Sequence, residues 1–471
     1  MPVPTSVKQL LETQNIAYQV STTRNESEEG TGELWHQLRH QQYLRHAGAA
    51  KSLILQDHKG RIQVLIRADC LLDLSAVNQQ FGREFTAVPE TELRNFFDQH
   101  QLQSIPALPQ IAGLQSVVDH RLLQPEELLL DAGADSQLLG LKQADFQQIL
   151  TDATICDIAV PLAALEQPDT LNDDETQIRH SLDNFTRLRI KQRLEDTLEL
   201  PPLPETAQRI IKLRVDPNAD IGDLANIVET DPSLAAQVVG WAASPYYSAP
   251  GKIKSIHDAI VRVLGFDMVL NLALGLALGK TLNMPADGPR GATPYWRKAV
   301  YTATTVEALV TAIPREHRPS FGMAYLAGLL NNFGYLVLAE VFPPYFTTIN
   351  RYSEANPQVG HQAIERHIID ITREQLAGWL MDLWNMPQEV VIALRYQNDP
   401  DYAGEHHEYA KLVYLAQLLL RQQGIGSGPV MATPSQLCSC LHLTPEQVGA
   451  AIDGIMESST ELNNIAAQMG G

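Results

Sequence analysis

The sequence predicts a multidomain protein, with an N-terminal α/β domain built on a mixed sheet and a C-terminal all-α domain. The chain has 471 residues, more than a single hydrophobic core usually organises. Short apolar runs of strand length alternate with helical stretches up to about residue 155. From about residue 190 onward, only the 3.6-residue apolar periodicity of amphipathic helices remains.

The α/β prediction comes from four short apolar runs in the first part of the chain. "KSLILQD" and "RIQVLIRAD" are separated by "HKG", which predicts a hairpin with a tight turn. "QSVVDHRLL" and "ELLLDAG" have the length and composition of two further strands. "SVKQLLETQNI" and "TELRNFFDQHQL" have helical spacing between them. Strands interrupted by helices favour a mixed sheet.

The all-α prediction comes from repeated apolar stripes and helix-start signals. Asp231-Pro232 and Thr444-Pro445 each place a capping side chain before a proline at the first helical position. A polar stretch rich in Asp and Asn, residues 165–185, precedes this part and suits a linker. The predicted divisions are the α/β domain 1–155, the linker 156–190, the helical domain 191–425 and a C-terminal helical tail 426–471.

Composition limits the partners that the sequence predicts. Apolar residues make up 44% and charged residues 19% of the chain, as in globular proteins. The formal net charge is −20, which argues against nucleic acid as a general partner, because such binders usually present a basic surface. The four cysteines form no C-x-x-C pair and are expected to be free thiols.

The sequence predicts neither a membrane span nor a signal peptide. The most apolar stretch, residues 263–282, is interrupted by Asp267 and Lys280, and a helix needs roughly 20 apolar residues to cross a bilayer. This stretch is therefore predicted to be a buried helix. The first residues lack a basic segment followed by an apolar one, so a cytoplasmic location is expected.

Several motifs of the helical part occur in a characteristic order. They are the Leu-Pro of "LPPLPETAQRIIKL", then "DPSL", "SPYY", the Ile-x-x-Ala-Ile-x-x-Leu-Gly of "IHDAIVRVLG", and the Trp-x-x-Pro of "WNMP". Over roughly residues 190–425, this order resembles the HDOD family, an all-helical relative of the HD-type metal phosphohydrolases. The resemblance implies a regulatory module of bacterial signalling.

The same resemblance identifies the positions at which HD relatives hold their metal. Where those relatives have His-Asp after Gly-Leu-Leu, this chain has Asn331-Asn332. At the other ligand positions the resemblance places Lys298, Arg373 and the pair Gln397-Asn398. The resemblance therefore implies a degenerate HD pocket.

Amides and cations at these positions predict that the helical domain binds no metal and needs no cofactor. A divalent metal site requires converging imidazole and carboxylate donors, and metal-dependent phosphohydrolysis needs the metal as Lewis acid and source of hydroxide. Two interpretations of the remaining polar residues stay open. The amides hydrogen-bond each other and rigidify the core, or they bind a small polar ligand.

The N-terminal part contains a second set of family motifs. Lys51 stands before "SLIL", a "DCLLDL" run follows, and "SIPALP" precedes "VVDHRLL" and "LLLDAGAD". Over about residues 5–152, these features resemble the YbaK/ProX family of aminoacyl-tRNA editing deacylases. The resemblance implies a substrate pocket containing Lys51, with Ser104 and Pro106 on the adjoining loop.

Two functional hypotheses follow, and the first is the leading one. It is a non-enzymatic regulatory protein that acts by binding a small polar ligand or a partner protein. The alternative is an editing deacylase acting on tRNA, with the helical domain as its regulator. Against the deacylase, the loop before "SIPALP" has no glycine, and residues 1–155 contain 12 basic and 19 acidic side chains. If the domain is not a deacylase, Lys51 is expected to be a solvent-exposed lysine at the start of a strand.

Overall fold

The structure is a computed structural model that describes residues 3–22, 48–110, 113–134, 137–166, 171–192, 202–247 and 251–469. Strands occupy only the N-terminal part of these ranges, and every element after residue 161 is helical, as predicted. The strands are β1 Gln19–Thr22, β2 Ala49–Asp57, β3 Gly60–Arg67, β4 Cys70–Leu72, β5 Thr86–Ala87, β6 Gln115–Asp119, β7 Glu127–Asp131, β8 Gln137–Lys142, β9 Thr154–Cys156 and β10 Ala159–Pro161.

The α-helices of the described residues are numbered in chain order. Those before and within the predicted linker are α1 Thr5–Thr13, α2 Leu74–Phe81, α3 Glu90–His100, α4 Gln143–Ile149 and α5 Leu171–Gln192. The next are α6 Glu205–Arg214, α7 Ile221–Glu229, α8 Pro232–Ala242, α9 Ile256–Ala259, α10 Phe266–Gly279, α11 Tyr295–Ala312, α12 Phe321–Leu329 and α13 Phe333–Val341. The last are α14 Pro343–Ala355, α15 His361–Ile369, α16 Arg373–Leu383, α17 Gln388–Tyr396, α18 His407–Gln422, α19 Ser435–Cys440, α20 Pro445–Glu457 and α21 Ser459–Met469.

The N-terminal domain is built on a mixed sheet, as the sequence predicts. Its strand order is β1-β8-β7-β2-β3-β6-β9, with β5 paired to β2. The pairs β2–β7, β3–β6 and β6–β9 are parallel, and the pairs β1–β8, β7–β8, β2–β3 and β2–β5 are antiparallel. Strands β10 and β4 form a separate two-stranded sheet. In the parallel pair β2–β7, the start of β2 lies beside the end of β7, so Lys51 and Asp131 are close to each other.

The predicted hairpin is confirmed, whereas one predicted strand is shorter than expected. β2 and β3 pair along their lengths, from Asp57 opposite Gly60 to Ala50 opposite Arg67. At the turn, the Asp57 carboxylate accepts the backbone N–H groups of Lys59 and Gly60 at 2.8 and 3.1 Å. The strand predicted at 115–123 ends at Asp119. The Asp119 carboxylate accepts the backbone N–H of Arg121 at 2.9 Å, which turns the chain into a 3₁₀ helix.

The helical domain confirms the predicted caps and the predicted buried helix. Asp231 accepts the backbone N–H groups of Ser233 and Leu234, each at 3.0 Å, at the start of α8. Thr444 forms a capping box at the start of α20. Helix α10 is buried from residue 268 to residue 279. Within the described ranges, no single helix combines the length and hydropathy of a membrane span, and only the bent pair α12–α13 reaches them together.

Residues 156–190, predicted as a linker, are extensively packed against both domains in the part that the structure describes. β10 pairs with β4, and α5 buries Ile178 in the helical core. The Asp174 carboxylate, 6% exposed, forms an ion pair with Arg395, whose side chain is 1% exposed. Gln375 Nε2 donates to the same carboxylate at 2.7 Å. Burial of a charged pair inside the helical domain makes α5 part of that domain's core.

The two domains share a hydrogen-bonded junction. Asn356 receives the Leu72 backbone N–H at 2.7 Å on its Oδ1 and donates its Nδ2 to the Leu72 carbonyl at 3.2 Å. The Tyr352 hydroxyl contacts Asp73 Oδ1 at 2.7 Å and Ser75 Oγ at 2.8 Å. Asn356 is fully buried, so these bonds form without competition from water. The junction is therefore a packed interface of the native chain.

The predicted C-terminal tail packs on the helical domain. The Tyr301 hydroxyl of α11 donates to the Ser459 carbonyl at 3.0 Å, and Gln447 Nε2 donates to the Ala312 carbonyl at 3.1 Å. Helices α20 and α21 bury apolar side chains in the same core as α11. The tail is thereby part of the helical domain's packing.

Candidate functional site

One site-like cavity lies between the two domains. A cavity of about 560 Å³ is bounded on one side by residues 87–90 and Leu93 of the α/β domain, and on the other by the loop 284–294 and helices of the helical domain. The loop 426–428 completes its rim. We call it the junction cavity. Cavities of this size at domain boundaries are the usual location of small-molecule sites.

The turn between α12 and α13 carries Asn331 and Asn332, and two glycines determine where it sits. A Cβ added at Gly328 would lie 2.8 Å from Ala303 Cα, and one at Gly334 would lie 2.1 Å from the Arg373 carbonyl oxygen. The turn is therefore pressed between α11 and α16. Asn332 lines the junction cavity as a result.

Asn331 points into the core and does not line the junction cavity. Its Nδ2 donates to the Gly328 carbonyl at 2.7 Å, and its Oδ1 has no hydrogen-bond partner among the described residues. Adjacent residues in a tight turn direct their side chains differently, which the sequence pattern alone does not reveal. Of the two amides, only Asn332 is placed to meet a ligand.

Lys298 on α11 faces the same cavity. Its Nζ donates to Asn332 Oδ1 at 3.4 Å, and no carboxylate in the described part of the chain forms an ion pair with it. Burial, together with the nearby Arg373 and Arg421, lowers the pKa of Lys298 to about 7. Removing water from an ammonium group disfavours its charged form.

Arg373 lines the cavity while one side of its guanidinium is neutralised. It forms an ion pair with the fully buried Glu365, whose Oε2 also accepts the Arg373 backbone N–H at 2.8 Å. The guanidinium carbon lies 5.2 Å from the centroid of the Tyr335 ring, a distance suited to a cation–π contact. Arg373 is thus held rigidly at the cavity wall.

His361 also lines the cavity and belongs to a network that the sequence motifs did not predict. His361 Nε2 lies 2.7 Å from Glu374 Oε1, and Asn398 Nδ2 donates to the same oxygen at 3.0 Å. Burial alone would raise the pKa of Glu374, but His361 and Arg373 outweigh it and hold that pKa at about 2. Glutamates of α15 and α16 carry no motif signal, so only the packing of these helices brings them together.

His361, Glu365 and Glu374 place one ligand atom each within 4.8 Å of one another, the spacing of a metal centre. The two carboxylates are nevertheless engaged: Glu365 binds the Arg373 guanidinium and Glu374 binds His361. A cation entering this cluster would have to displace Arg373 and overcome its repulsion. These residues suit an ion-pair network better than a metal site.

The two residues of the predicted pair Gln397-Asn398 also lie in different surroundings. Gln397 is buried, donates to the Leu394 carbonyl at 2.9 Å and receives the Gln417 amide at 2.8 Å. It therefore belongs to a polar contact in the core, away from the junction cavity, whereas Asn398 reaches Glu374. Of the six residues predicted for this pocket, the structure brings Lys298, Asn332 and Arg373 to the cavity wall.

A second cavity, of about 330 Å³, lies in the α/β domain and contains Lys51 and Ser104 on its wall. Asp131 joins them, accepting the Ser104 hydroxyl at 2.6 Å and the Gly133 backbone N–H at 2.7 Å. Burial lowers the pKa of Lys51, and the Asp131 carboxylate partly opposes that shift. Lys51 is thus a pocket residue and not a solvated strand end.

Pro106 lies behind this wall, next to a glycine from a distant part of the sequence. A Cβ added at Gly133 would lie 2.5 Å from Pro106 Cγ, and Gly133 has a φ of +79°. The loop before Ser104 has no glycine of its own. The glycine that packs closely against this loop is Gly133, from the loop after β7.

The two cavities are neighbours. Both cavities are lined by residues 87 and 88 and by Leu93, Glu354 and Pro357. Arg290 Nη2 donates to Glu354 Oε2 at 2.6 Å and to the Ala87 carbonyl at 2.8 Å. The helical domain thereby supplies part of the wall of the Lys51 cavity.

Two family models match the chain along these two sites. The HDOD domain matches residues 200–400, and the aminoacyl-tRNA editing domain matches residues 38–149. The helical domain and the α/β domain are thus similar to those two kinds of domain, in the arrangement predicted from the motifs.

A crystal structure of a candidate signal transduction protein from Marinobacter aquaeolei VT8 is 40% identical to this chain, with a TM-score of 0.87 and 100% of each chain covered. The chain belongs to the same family as that protein. In this chain, the editing-type domain precedes the HDOD domain. An HDOD domain protein from Geobacter sulfurreducens is 20% identical, with a TM-score of 0.47, over 63% of this chain and 97% of its own.

One curated relative is an uncharacterized protein from Treponema pallidum (strain Nichols). It is 22% identical over 278 residues, which are 59% of this chain and 52% of the relative. The chain therefore spans about half the length of that curated relative.

Proposed function

We propose that this chain is a regulatory protein whose HDOD domain acts by binding a ligand or a partner protein, without metal-dependent hydrolysis. The observation that carries the proposal is the meeting of Lys298, Asn332 and Arg373 at the wall of the junction cavity. The similarity to a candidate signal transduction protein over the full chain supports a regulatory role.

The chemistry of the wall favours binding over hydrolysis. Metal-dependent phosphohydrolysis needs a bound metal that activates water and polarises the phosphoryl oxygen. Here the predicted pocket residues that reach the cavity wall are two basic side chains and an amide, and the nearby carboxylates of Glu365 and Glu374 are held by Arg373 and His361. The side chains are suited to donating hydrogen bonds to an occupant.

The junction cavity is also suited to regulation because both domains form its wall. An occupant would contact residues 87–90 of one domain and Lys298 and Arg373 of the other. A ligand that binds the closed junction better than an open one shifts the equilibrium towards the closed form. Binding there would therefore change how the Lys51 cavity is covered.

The absence of hydrolysis is tested with bis(p-nitrophenyl) phosphate and cyclic dinucleotides in the presence of Mn²⁺, Fe²⁺ or Mg²⁺. We expect no turnover above buffer, because the carboxylates of the His361–Glu365–Glu374 cluster are bound by Arg373 and His361, and those of the Asp119–His120–Asp157 cluster are bound by Arg121. His361→Ala serves as the paired variant. Metal-dependent turnover in the wild-type chain that His361→Ala removes would contradict the proposal.

A second candidate function is supported by the Lys51 cavity. Lys51, Ser104 and Asp131 line a cavity of about 330 Å³, large enough for an amino acid side chain. In aminoacyl-tRNA deacylation, water attacks the ester carbonyl, and the amino acid and the free terminal hydroxyl of the tRNA leave. An ammonium such as Lys51 stabilises the oxyanion that forms at the carbonyl.

Replacement of Lys51 by alanine separates the two candidates. If the α/β domain is a deacylase, Lys51→Ala is expected to lower the rate of hydrolysis of a panel of mischarged aminoacyl-tRNAs by about 100-fold or more. Lys59→Ala is the matched control, since Lys59 is exposed at the β2–β3 turn. Equal rates in the Lys51→Ala and Lys59→Ala variants would exclude Lys51 from catalysis. No turnover in the wild-type chain would remove the deacylase candidate and leave binding.

A further inference from the structure

The inner end of the junction cavity has an excess of positive charge. Arg373 and Arg421 are close enough to lower the pKa of Lys298, and the acids that oppose them there are Glu365 and Glu374. Glu365 is used by Arg373 and Glu374 by His361. Neither Lys298 nor Arg421 forms an ion pair with a carboxylate of the described residues. A desolvated cation without a counter-charge is costly, and an anionic occupant would remove that cost.

Hydrogen-bond donors at this end point towards one space from separate elements. Lys298 comes from α11, Asn332 from the α12–α13 turn and Arg373 from the start of α16. Asn332 uses its Oδ1 to accept from Lys298, so its Nδ2 is left as a donor without a partner among the described residues. Donors that line one cavity from three elements suit a tetrahedral oxyanion, which accepts hydrogen bonds from several directions.

The acids that line the cavity, Glu90, Asp287 and Glu354, each have an arginine partner already. Glu354 is bound by Arg290 at 2.6 Å and by Arg351 at 3.1 Å, and Asp287 is bound by Arg351 at 2.7 Å. They therefore leave the Lys298 end positive. The rest of the cavity wall is mostly apolar and aromatic, and includes Tyr295, Tyr335, Met284, Pro285, Pro289 and Ile364.

We propose that the junction cavity binds a phosphate-bearing small molecule of nucleotide size, with its phosphate at Lys298, Asn332 and Arg373. This inference rests on the ligand-binding form of the proposed function. The cavity volume of about 560 Å³ lies within the ~300–1,000 Å³ typical of small-molecule sites. The aromatic and proline walls receive the uncharged part of the ligand, which contacts both domains.

Isothermal titration calorimetry of the full chain with sulfate and with a panel of nucleoside monophosphates tests this site. Both probes are expected to bind, and the corresponding nucleosides without phosphate are expected to bind at least ~10-fold more weakly, because a charge-assisted contact is lost. Lys298→Met should weaken both probes by at least ~10-fold. Lys212→Met, which removes an exposed lysine of α6, should leave them unchanged.

A second variant supplies the missing counter-charge within the protein. Asn332→Asp places a carboxylate next to Lys298, whose Nζ lies 3.4 Å from the present amide oxygen. It should abolish sulfate binding and raise the melting temperature of the ligand-free chain. A folded Asn332→Asp protein with unchanged sulfate affinity would overturn the proposal, even if Lys298→Met failed to fold.

The pH dependence of sulfate binding gives an independent readout, because sulfate itself does not titrate in this range. Bound anion favours the charged form of Lys298, so the complex takes up protons above about pH 7 and the affinity falls as the pH rises further. The other charged or titratable groups near Lys298 are Arg373, Arg421, Glu365, Glu374 and His361, and the pKa of Glu374 is held at about 2. The uptake of protons on sulfate binding should be absent in the Lys298→Met variant.

The outcomes distinguish this inference from the function on which it rests. If neither sulfate nor any nucleoside monophosphate binds, or if each binds Lys298→Met as well as the wild-type chain, the phosphate site is wrong. The regulatory proposal then stands on a partner protein. If the nucleotides bind and are hydrolysed with a bound metal, the non-hydrolytic function fails while the anion site survives.

Discussion

Replacement of Arg395 by methionine is expected to lower the free energy of unfolding by about 3–5 kcal/mol, because it leaves a buried carboxylate without its counter-charge. Asp174 receives Arg395 Nη2 at 2.7 Å, and both side chains are almost completely buried. Gln375 also donates to this carboxylate, but one neutral amide cannot replace a guanidinium. Urea denaturation followed by circular dichroism measures the loss.

A matched pair on the same helix provides the control. Arg179 binds Glu175 at 2.7 Å, one turn further along α5, with the two side chains 68% and 59% exposed. Arg179→Met is expected to cost only about 0–1 kcal/mol, since water screens an exposed pair. Equal losses for Arg179→Met and Arg395→Met would contradict the role assigned to burial.

The double variant Arg395→Met/Asp174→Leu sharpens the result. Removing both charges eliminates the unpaired carboxylate and fills the space with apolar groups, so much of the stability should return. Recovery would show that the loss in the single variant arises from the isolated charge. A double variant as unstable as Arg395→Met would point instead to lost packing between α5 and the helical domain.

Replacement of Gly334 by alanine is the second large perturbation. The new Cβ would lie 2.1 Å from the Arg373 carbonyl oxygen and 2.8 Å from its carbonyl carbon, so α13 and α16 would have to move apart. Overpacking of this kind costs about 1–3 kcal/mol and sometimes more, and the upper part of that range is expected because backbone atoms cannot rotate away. Thermal and urea unfolding measure the effect.

The same substitution also tests the junction cavity, because Arg373 begins α16 and lies at the cavity wall. Separation of the two helices should weaken sulfate binding together with stability. Gly454→Ala is the control: it lies in α20 with no atom within 4 Å of the added Cβ. There, alanine should stabilise the helix by up to ~1 kcal/mol. If Gly334→Ala stabilised the protein, α13 and α16 would have to be packed less closely than the 2.1 Å distance from the added Cβ indicates.

Local features of the fold followed from the sequence because their causes are local. Asp231 and Thr444 cap the helices that they precede, and the turn after Asp57 joins the predicted hairpin. Each depends on side chains within three or four residues of the backbone groups that they satisfy. Short strands such as Thr154–Cys156 escaped prediction, since three residues carry too little periodicity to be recognised.

Long-range neighbours were the part of the candidate site that the sequence could not supply. Asp131 and Gly133 meet Ser104 and Pro106 because the loop before β6 packs against the end of β7, where backbone N–H groups of the loop donate to the Asp131 and Gly133 carbonyls. Glu374 meets His361 through the packing of two helices. None of these contacts has a periodic or motif signature, because residues far apart in the chain meet only after their helices and strands have packed.

The sequence by itself determined the two-part architecture and the helix starts. Hydrophobic periodicity and capping act over a few residues, so they can be read without a fold. Only the tertiary structure decided that Asn332 faces the junction cavity while Asn331 faces the core. That choice depends on how closely Gly328 and Gly334 let three helices approach, and packing at that distance is a property of the assembled chain.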